Sequence, residues 1–217
     1  MQVNRIPILI LVMSIVYIFI IPSEPGNFKL FFKIIPMLLI IIYAMNQMPR
    51  QRSSTHWLVI IGLIFCIIGD GTLRWFIIGL TFFLVGHLFY LTAFSLQWKF
   101  SWYRFLMIIP LAILGFLMGN ELIQAIASSG DEIFVLPVIS YIAVITSMAW
   151  LAIMTGNKFA IIGSLLFLIS DAILSWNMFI SPVPYSHVLI MTTYYAAQFL
   201  IAHSISSVVK QSSRMVW

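Results

Sequence analysis

Along this chain, apolar runs of 16 to 24 residues alternate with short clusters of polar, glycine and proline residues. A helix that spans a bilayer needs about 20 apolar residues. The pattern predicts eight such segments, over residues 6–21, 29–47, 56–73, 75–97, 102–119, 133–155, 158–178 and 186–209. The breaks fall where turn residues and charge gather: Pro22 to Gly26, Pro49 to Arg52, Gln97 to Lys99, Gly119 to Glu132, Gly156 to Lys158, and Ser181 to Pro184. Between the third and fourth segments only Gly69, Gly71 and Arg74 interrupt the run. The first segment follows Arg5 as a signal peptide would, but it lacks a small-x-small cleavage site and is expected to stay as a helix.

Composition supports the membrane reading. Hydrophobic residues make up 62% of the 217 and charged residues 8%, against roughly 25% charged in a soluble domain. So few charges cannot clothe a water-soluble globule, which excludes soluble enzymes, disordered chains and disulfide scaffolds. The single cysteine, Cys66, sits inside an apolar run and has no intrachain partner.

The net charge of +5 does not indicate nucleic acid, because the basic residues are scattered singly between the apolar runs. They report topology instead. The N-terminus, the 2–3, 4–5 and 6–7 connections and the C-terminus hold Arg5, Arg50, Arg52, Lys99, Arg104, Lys158, Lys210 and Arg214. The opposite side holds Lys29, Lys33 and Arg74, with Glu24, Glu121, Asp131 and Glu132. Basic residues concentrate on the cytoplasmic side, so both termini are expected there, in a multi-pass protein of a bacterial plasma membrane.

The third and seventh segments resemble each other at an offset of 101. Residues 60–75 read IIGLIFCIIGDGTLRW and residues 161–176 read IIGSLLFLISDAILSW. Gly62/Gly163, Asp70/Asp171 and Trp75/Trp176 coincide, and the same offset pairs Pro36 with Pro137. The expected fold is therefore an all-α membrane domain over 1–217, built from two parallel four-helix repeats of about 1–101 and 102–217. A parallel repeat places Asp70 and Asp171 at one depth.

An ionisable side chain inside a span costs at least ~2.5–3.5 kcal/mol near the bilayer centre and is a candidate functional group. Asp70 and Asp171 are the first candidates, each beside a face of small residues that allows close helix approach (Gly62, Cys66 and Gly69; Gly163 and Ser170). Two carboxylates facing one low-dielectric cavity do not readily ionise together, which yields a general acid and a general base. A proton relay in a carrier would need the same pair. His87 and Tyr90 share a face of the fourth segment, and Tyr194, Tyr195 and Gln198 a face of the eighth. They either join helices or orient a substrate. Lys33 and Arg74 either snorkel to headgroups or bind a phosphate. His56, His187 and His203 are expected at the interfaces, and no metal-ligand spacing, nucleophile elbow or phosphate loop is present.

This constellation resembles the YhhN-like membrane proteins, which include the lysoplasmalogenases. The landmarks run in order over most of the chain: Lys33 and Pro36, Gly69-Asp70 with Leu73, Gly86-His87 with Tyr90, Gly163, Ser170-Asp171 with Leu174, and Tyr195 with Gln198. Where the family has Lys-Pro-Leu, this chain has Lys33-Ile-Ile-Pro36. The resemblance implies hydrolysis of the vinyl ether of a lysophospholipid taken from the bilayer, giving a fatty aldehyde and a glycerophospho-alcohol without a cofactor. Asp70 and Asp171 would form the acid/base pair. His87, Tyr90, Tyr195 and Gln198 would hold the ether oxygen, the water or the glycerol hydroxyl, and Lys33 or Arg74 the phosphate. The competing reading is a proton-coupled carrier or lipid-binding protein that uses the same aspartates. It would require a polar path continuing towards the cytoplasm, where residues 57–68 and 160–169 are almost wholly apolar apart from Ser164.

Overall fold

The computed structural model describes residues 5–22, 24 and 26–209. Lys210 and Arg214, two of the topology determinants, lie outside the described residues, as do Ser23 and Pro25 of the first break. Among the described residues the ordered elements are all helical. They are α1 (Ile6–Ile15, continued as a π turn over Val16–Ile20), α2 (Gly26–Asn46), α3 (Ser54–Thr72), α4 (Phe76–Ser95), α5 (Trp102–Leu106), α6 (Ile108–Ser129), α7 (Val135–Thr155), α8 (Lys158–Phe179) and α9 (Ser186–Val208). A short 3-10 turn, Glu132–Phe134, leads into α7.

Seven helical stretches are long and apolar enough to cross a membrane, α5 and α6 counting as one. The first helix, Ile6–Ile20, is apolar but shorter. At 1.5 Å per residue it measures about 22 Å, less than a ~30 Å hydrocarbon core.

One predicted boundary is corrected. Residues 120–129 were expected in a loop, whereas α6 continues to Ser129 and Glu121 is helical. Leu122 and Ile126, one turn apart, are buried and pack with Val138 of α7, which extends the helix past its polar positions. It stops at Gly130, whose φ of +79° is the left-handed conformation that glycine supplies at a helix end.

The bundle is assembled from two tight hairpins, α3 with α4 and α8 with α9, and α4 packs on α7. Glycine permits the close approach. A Cβ on Gly86 would lie 2.9 Å from Cys66 Sγ, and one on Gly163 would lie 3.0 Å from the Ala197 carbonyl oxygen. In α2, Pro36 removes an N–H from the helix interior, and the neighbouring Lys33 carbonyl accepts a hydrogen bond from Tyr195 Oη at 2.8 Å. His56 is buried at the start of α3. Its Nδ1 accepts from the Ser53 N–H at 2.8 Å and so serves as a cap. His203 meets Tyr43 Oη at 2.6 Å.

Candidate active site

Asp70 comes from the last turn of α3 and Asp171 from the middle of α8, and both line one cavity of about 220 Å³. The rest of its wall is mostly apolar, with Leu73, Phe76, Leu80, Phe83, Leu174 and Met191 among the lining residues. Concave, mostly apolar sites with a few converging polar groups are where small-molecule chemistry is usually found.

The two carboxylates have unlike partners. Asp70 is 4% exposed and lies in an ion pair, with Lys33 Nζ at 3.0 Å from Oδ1. Its other oxygen, Oδ2, accepts from Tyr194 Oη at 2.6 Å. Asp171 Oδ2 accepts from Tyr141 Oη of α7, and no cation pairs with it among the described residues. The helix preceding each aspartate in the chain supplies a partner, Lys33 from α2 for Asp70 and Tyr141 from α7 for Asp171, and the residue 101 positions after Lys33 is Phe134.

At the Lys33 end, a wider vestibule of about 470 Å³ adjoins the cavity and shares Tyr17, Lys29, Lys33, Asp70, Leu73 and Met178 with it. Arg74 lines this vestibule, its guanidinium 3.9 Å from the centre of the Trp75 ring. Three basic side chains therefore gather at the mouth, a suitable neighbourhood for an anionic headgroup. His187 lines the cavity and stands edge-on to Tyr17 at 5.4 Å, although its sequence position suggested only an interface.

The remaining candidates lie behind the cavity. Tyr90 Oη donates to Gln198 Oε1 at 2.7 Å, and both residues are fully buried outside the cavity lining. His87 is also fully buried, edge-on to Phe167 at 4.4 Å and to Tyr141 at 5.3 Å. Neither ring nitrogen has a hydrogen-bond partner, and the Phe83 carbonyl one turn earlier lies nearby without good bonding geometry. Tyr195 binds the Lys33 carbonyl and does not line the cavity. These four therefore surround and support the site instead of facing its interior. Tyr141 was not legible as a site residue, since the offset pairs it with Ile40. Tyr194 was visible only as a member of the polar face of α9.

Among the described residues no group of three His, Cys, Asp or Glu side chains could hold a metal ion. What the cavity offers is one carboxylate paired with an ammonium and a second paired with a phenol, both in apolar surroundings. That set suits proton donation to, and charge stabilisation of, a substrate atom held between them.

The sequence profile of the YhhN family matches residues 28–205, which takes in nearly all of α2 to α9 and every described cavity residue except Tyr17. Lysoplasmalogenase TMEM86B of Mus musculus is 31% identical over 201 residues, covering 88% of this chain and 82% of its own length. Lysoplasmalogenase TMEM86A of Homo sapiens is 32% identical over 211 residues, covering 84% and 80%. Human lysoplasmalogenase TMEM86B is 36% identical over 141 residues, or 63% and 58%. No solved structure matches the chain. With the family profile and these relatives extending over the helices that build the cavity, the chain belongs to the YhhN family.

Proposed function

We propose that this chain is an intramembrane lysoplasmalogenase that hydrolyses the vinyl ether of a single-chain phospholipid, with Asp171 as acid and Asp70 as base. The observation that carries this reading is the pair of carboxylates in one cavity, one ion-paired and one not. The relatives' lysoplasmalogenase activity supplies the substrate class.

In the proposed reaction Asp171 protonates the alkene carbon remote from the ether oxygen. The C=C bond is consumed and an oxocarbenium ion forms at the carbon next to oxygen. The Asp70 carboxylate stabilises that cation and accepts a proton from the water that adds to it. The resulting hemiacetal then breaks its C–O bond. The aldehyde is released, the glycerol oxygen leaves as an alcohol, and a proton passes back from Asp70 to Asp171. The balance is one water consumed per ether cleaved. Lys33 pairs directly with Asp70, and Tyr194 and Tyr141 hydrogen-bond the two carboxyl groups and orient them. Lys29 and Arg74 lie where the phosphate would sit.

The membrane topology belongs to the same reading. The short α1 would make an eighth crossing, both termini would lie in the cytoplasm of a bacterial cell, and the two four-helix repeats would bring the vestibule to the outer leaflet. The carrier alternative needs polar continuity past His87 and Gln198. Leu63, Ile60, Ile201 and Ile205 fill the core of α3 and α9 towards the opposite end, which favours the enzyme.

Purified protein given a lysoplasmalogen should release free aldehyde and leave the saturated-ether analogue intact. Equal inertness towards both would remove the hydrolase reading.

A further inference from the structure

A narrow apolar pocket of about 50 Å³ lies between α6, α7 and α8, and Asp171 lines it as well as the main cavity. Tyr141, Ile142, Asp171 and Ser175 are common to both, so the two meet at Asp171. The other lining residues of the pocket include Leu114, Met118, Ile145 and Leu168. On its far side it shares Gly115, Ile142 and Thr146 with a groove of about 450 Å³ along α6 and α7. The α6 stretch is the least buried of the seven long helices, and Leu114, Phe116 and Leu117 are exposed on it. In a bilayer that surface faces acyl chains.

Glycine keeps this passage open. A Cβ on Gly115 would stand 3.2 Å from Thr146 Oγ1 and 3.6 Å from Ile142 Cγ2, and one on Gly119 would stand 3.6 Å from Ile142 Cδ1. Both glycines lie on the α6 face turned to α7, so any larger side chain there fills the groove. The cationic vestibule lies at the Lys33 end of the cavity and this passage at the Asp171 end. A molecule reaching from one to the other therefore carries its anionic end beside Lys33 and its hydrocarbon end beside Leu114.

We infer that the α6–α7 groove is the lateral port and binding slot for the hydrocarbon chain of the substrate, with Gly115 and Leu114 governing the chain length accepted. This rests on the lysoplasmalogenase reading above and adds the route by which the lipid lies across the two aspartates. Lipid tails are as apolar as the groove, so a chain gains little free energy simply by moving into it. The groove consequently selects by shape: its effect falls on which chains reach Asp171 in register, not on affinity for hydrocarbon in general. The groove between α1 and α9, lined by Ile10, Ile15, Phe19 and Phe199, shares no residue with the main cavity and is the comparison surface.

The test uses the full-length protein in nanodiscs and a saturated-ether lysophosphocholine carrying a diazirine at its chain terminus, read by peptide mass spectrometry. This probe requires no turnover. Labelling competed by unlabelled lysolipid is expected on residues 108–147 and should be lost in Leu114→Trp. Competed labelling on α1 and α9 instead, or none above the lipid-facing background, would overturn the port. In parallel, vinyl ethers with octenyl and octadecenyl chains are compared in the wild type, Gly115→Phe and Leu114→Trp. The ratio of kcat/KM for the long chain to that for the short chain should fall by about tenfold or more in the variants. An unchanged ratio in folded Leu114→Trp, which alters a partly exposed position lining the narrow pocket, would also overturn it. Wild-type protein that labels on α6–α7 but hydrolyses neither ether would contradict the proposed reaction and leave the slot standing.

Discussion

Lys33 of α2 and Asp70 of α3 form an ion pair at 3.0 Å, with the lysine side chain 14% exposed and the aspartate 3%. Asp171, which occupies the same place in the sequence pattern of the second half, has a tyrosine where Asp70 has an ammonium. The two carboxylates thus have different partners, one an ammonium together with a phenol and the other a phenol.

Removing the cation should disturb more than phosphate binding. Lys33→Met leaves Asp70 without its counter-charge, and an unpaired buried charge costs ~3–5 kcal/mol. Both turnover and thermal stability are expected to fall, and the double variant Lys33→Met/Asp70→Asn should recover stability without recovering turnover. Thermal unfolding in detergent measures this. A Lys33→Met protein as stable as wild type and impaired only in KM would place Lys33 on the phosphate alone.

The two aspartates should separate in stability although both are needed for turnover. Asp171→Asn keeps a group able to bond Tyr141 and is expected to retain the wild-type melting temperature within a few degrees. Asp70→Asn strands Lys33 and should melt lower. Each should lose about 100-fold or more in kcat, the scale of general acid–base catalysis. Substantial activity in either variant would remove that residue from the mechanism.

Tyr141→Phe tests the partner that the sequence concealed. Loss of a neutral hydrogen bond that orients the acid should lower kcat by about tenfold, with KM little changed, because one such bond is worth ~0.5–1.5 kcal/mol. A change confined to KM would mean that Tyr141 binds the lipid instead of placing Asp171.

Sidedness can be read with cysteine chemistry, since Cys66 is fully buried and gives little background. Cysteines placed at the exposed positions Gln51 and Asn27, at opposite ends of the bundle, should react from opposite sides of sealed vesicles. The proposed topology expects Gln51→Cys to label only from the cytoplasmic face. Labelling from the outer face would invert the bundle.

Much of this architecture was legible because membrane helices advertise themselves by run length, and because an aspartate in such a run is costly enough to stand out. Asp70, Asp171 and Lys33 were found on that basis. The continuation of α6 through Glu121 was hidden, because its polar residues read as a loop while the buried spacing of Leu122 and Ile126 spoke for helix. The short reach of α1 was already visible in its run of 16 residues, the shortest of the eight. Tyr141 could not be told from the other tyrosines, and Tyr194 only as one of a polar face, since a phenol in a span is cheap and only its partner reveals its use. His87, Tyr90 and Gln198 presented the reverse case. Their shared helix faces marked them as interior, but a face does not say whether it looks into a cavity or into packed protein.

The most direct measurement follows free aldehyde from a lysoplasmalogen and from its saturated-ether analogue, using purified wild-type protein and Asp171→Asn. Aldehyde released only from the vinyl ether, and only by the wild type, is the expected result. Aldehyde from Asp171→Asn at the wild-type rate, or none from folded wild-type protein, would contradict the assignment of an acid-catalysed ether hydrolase.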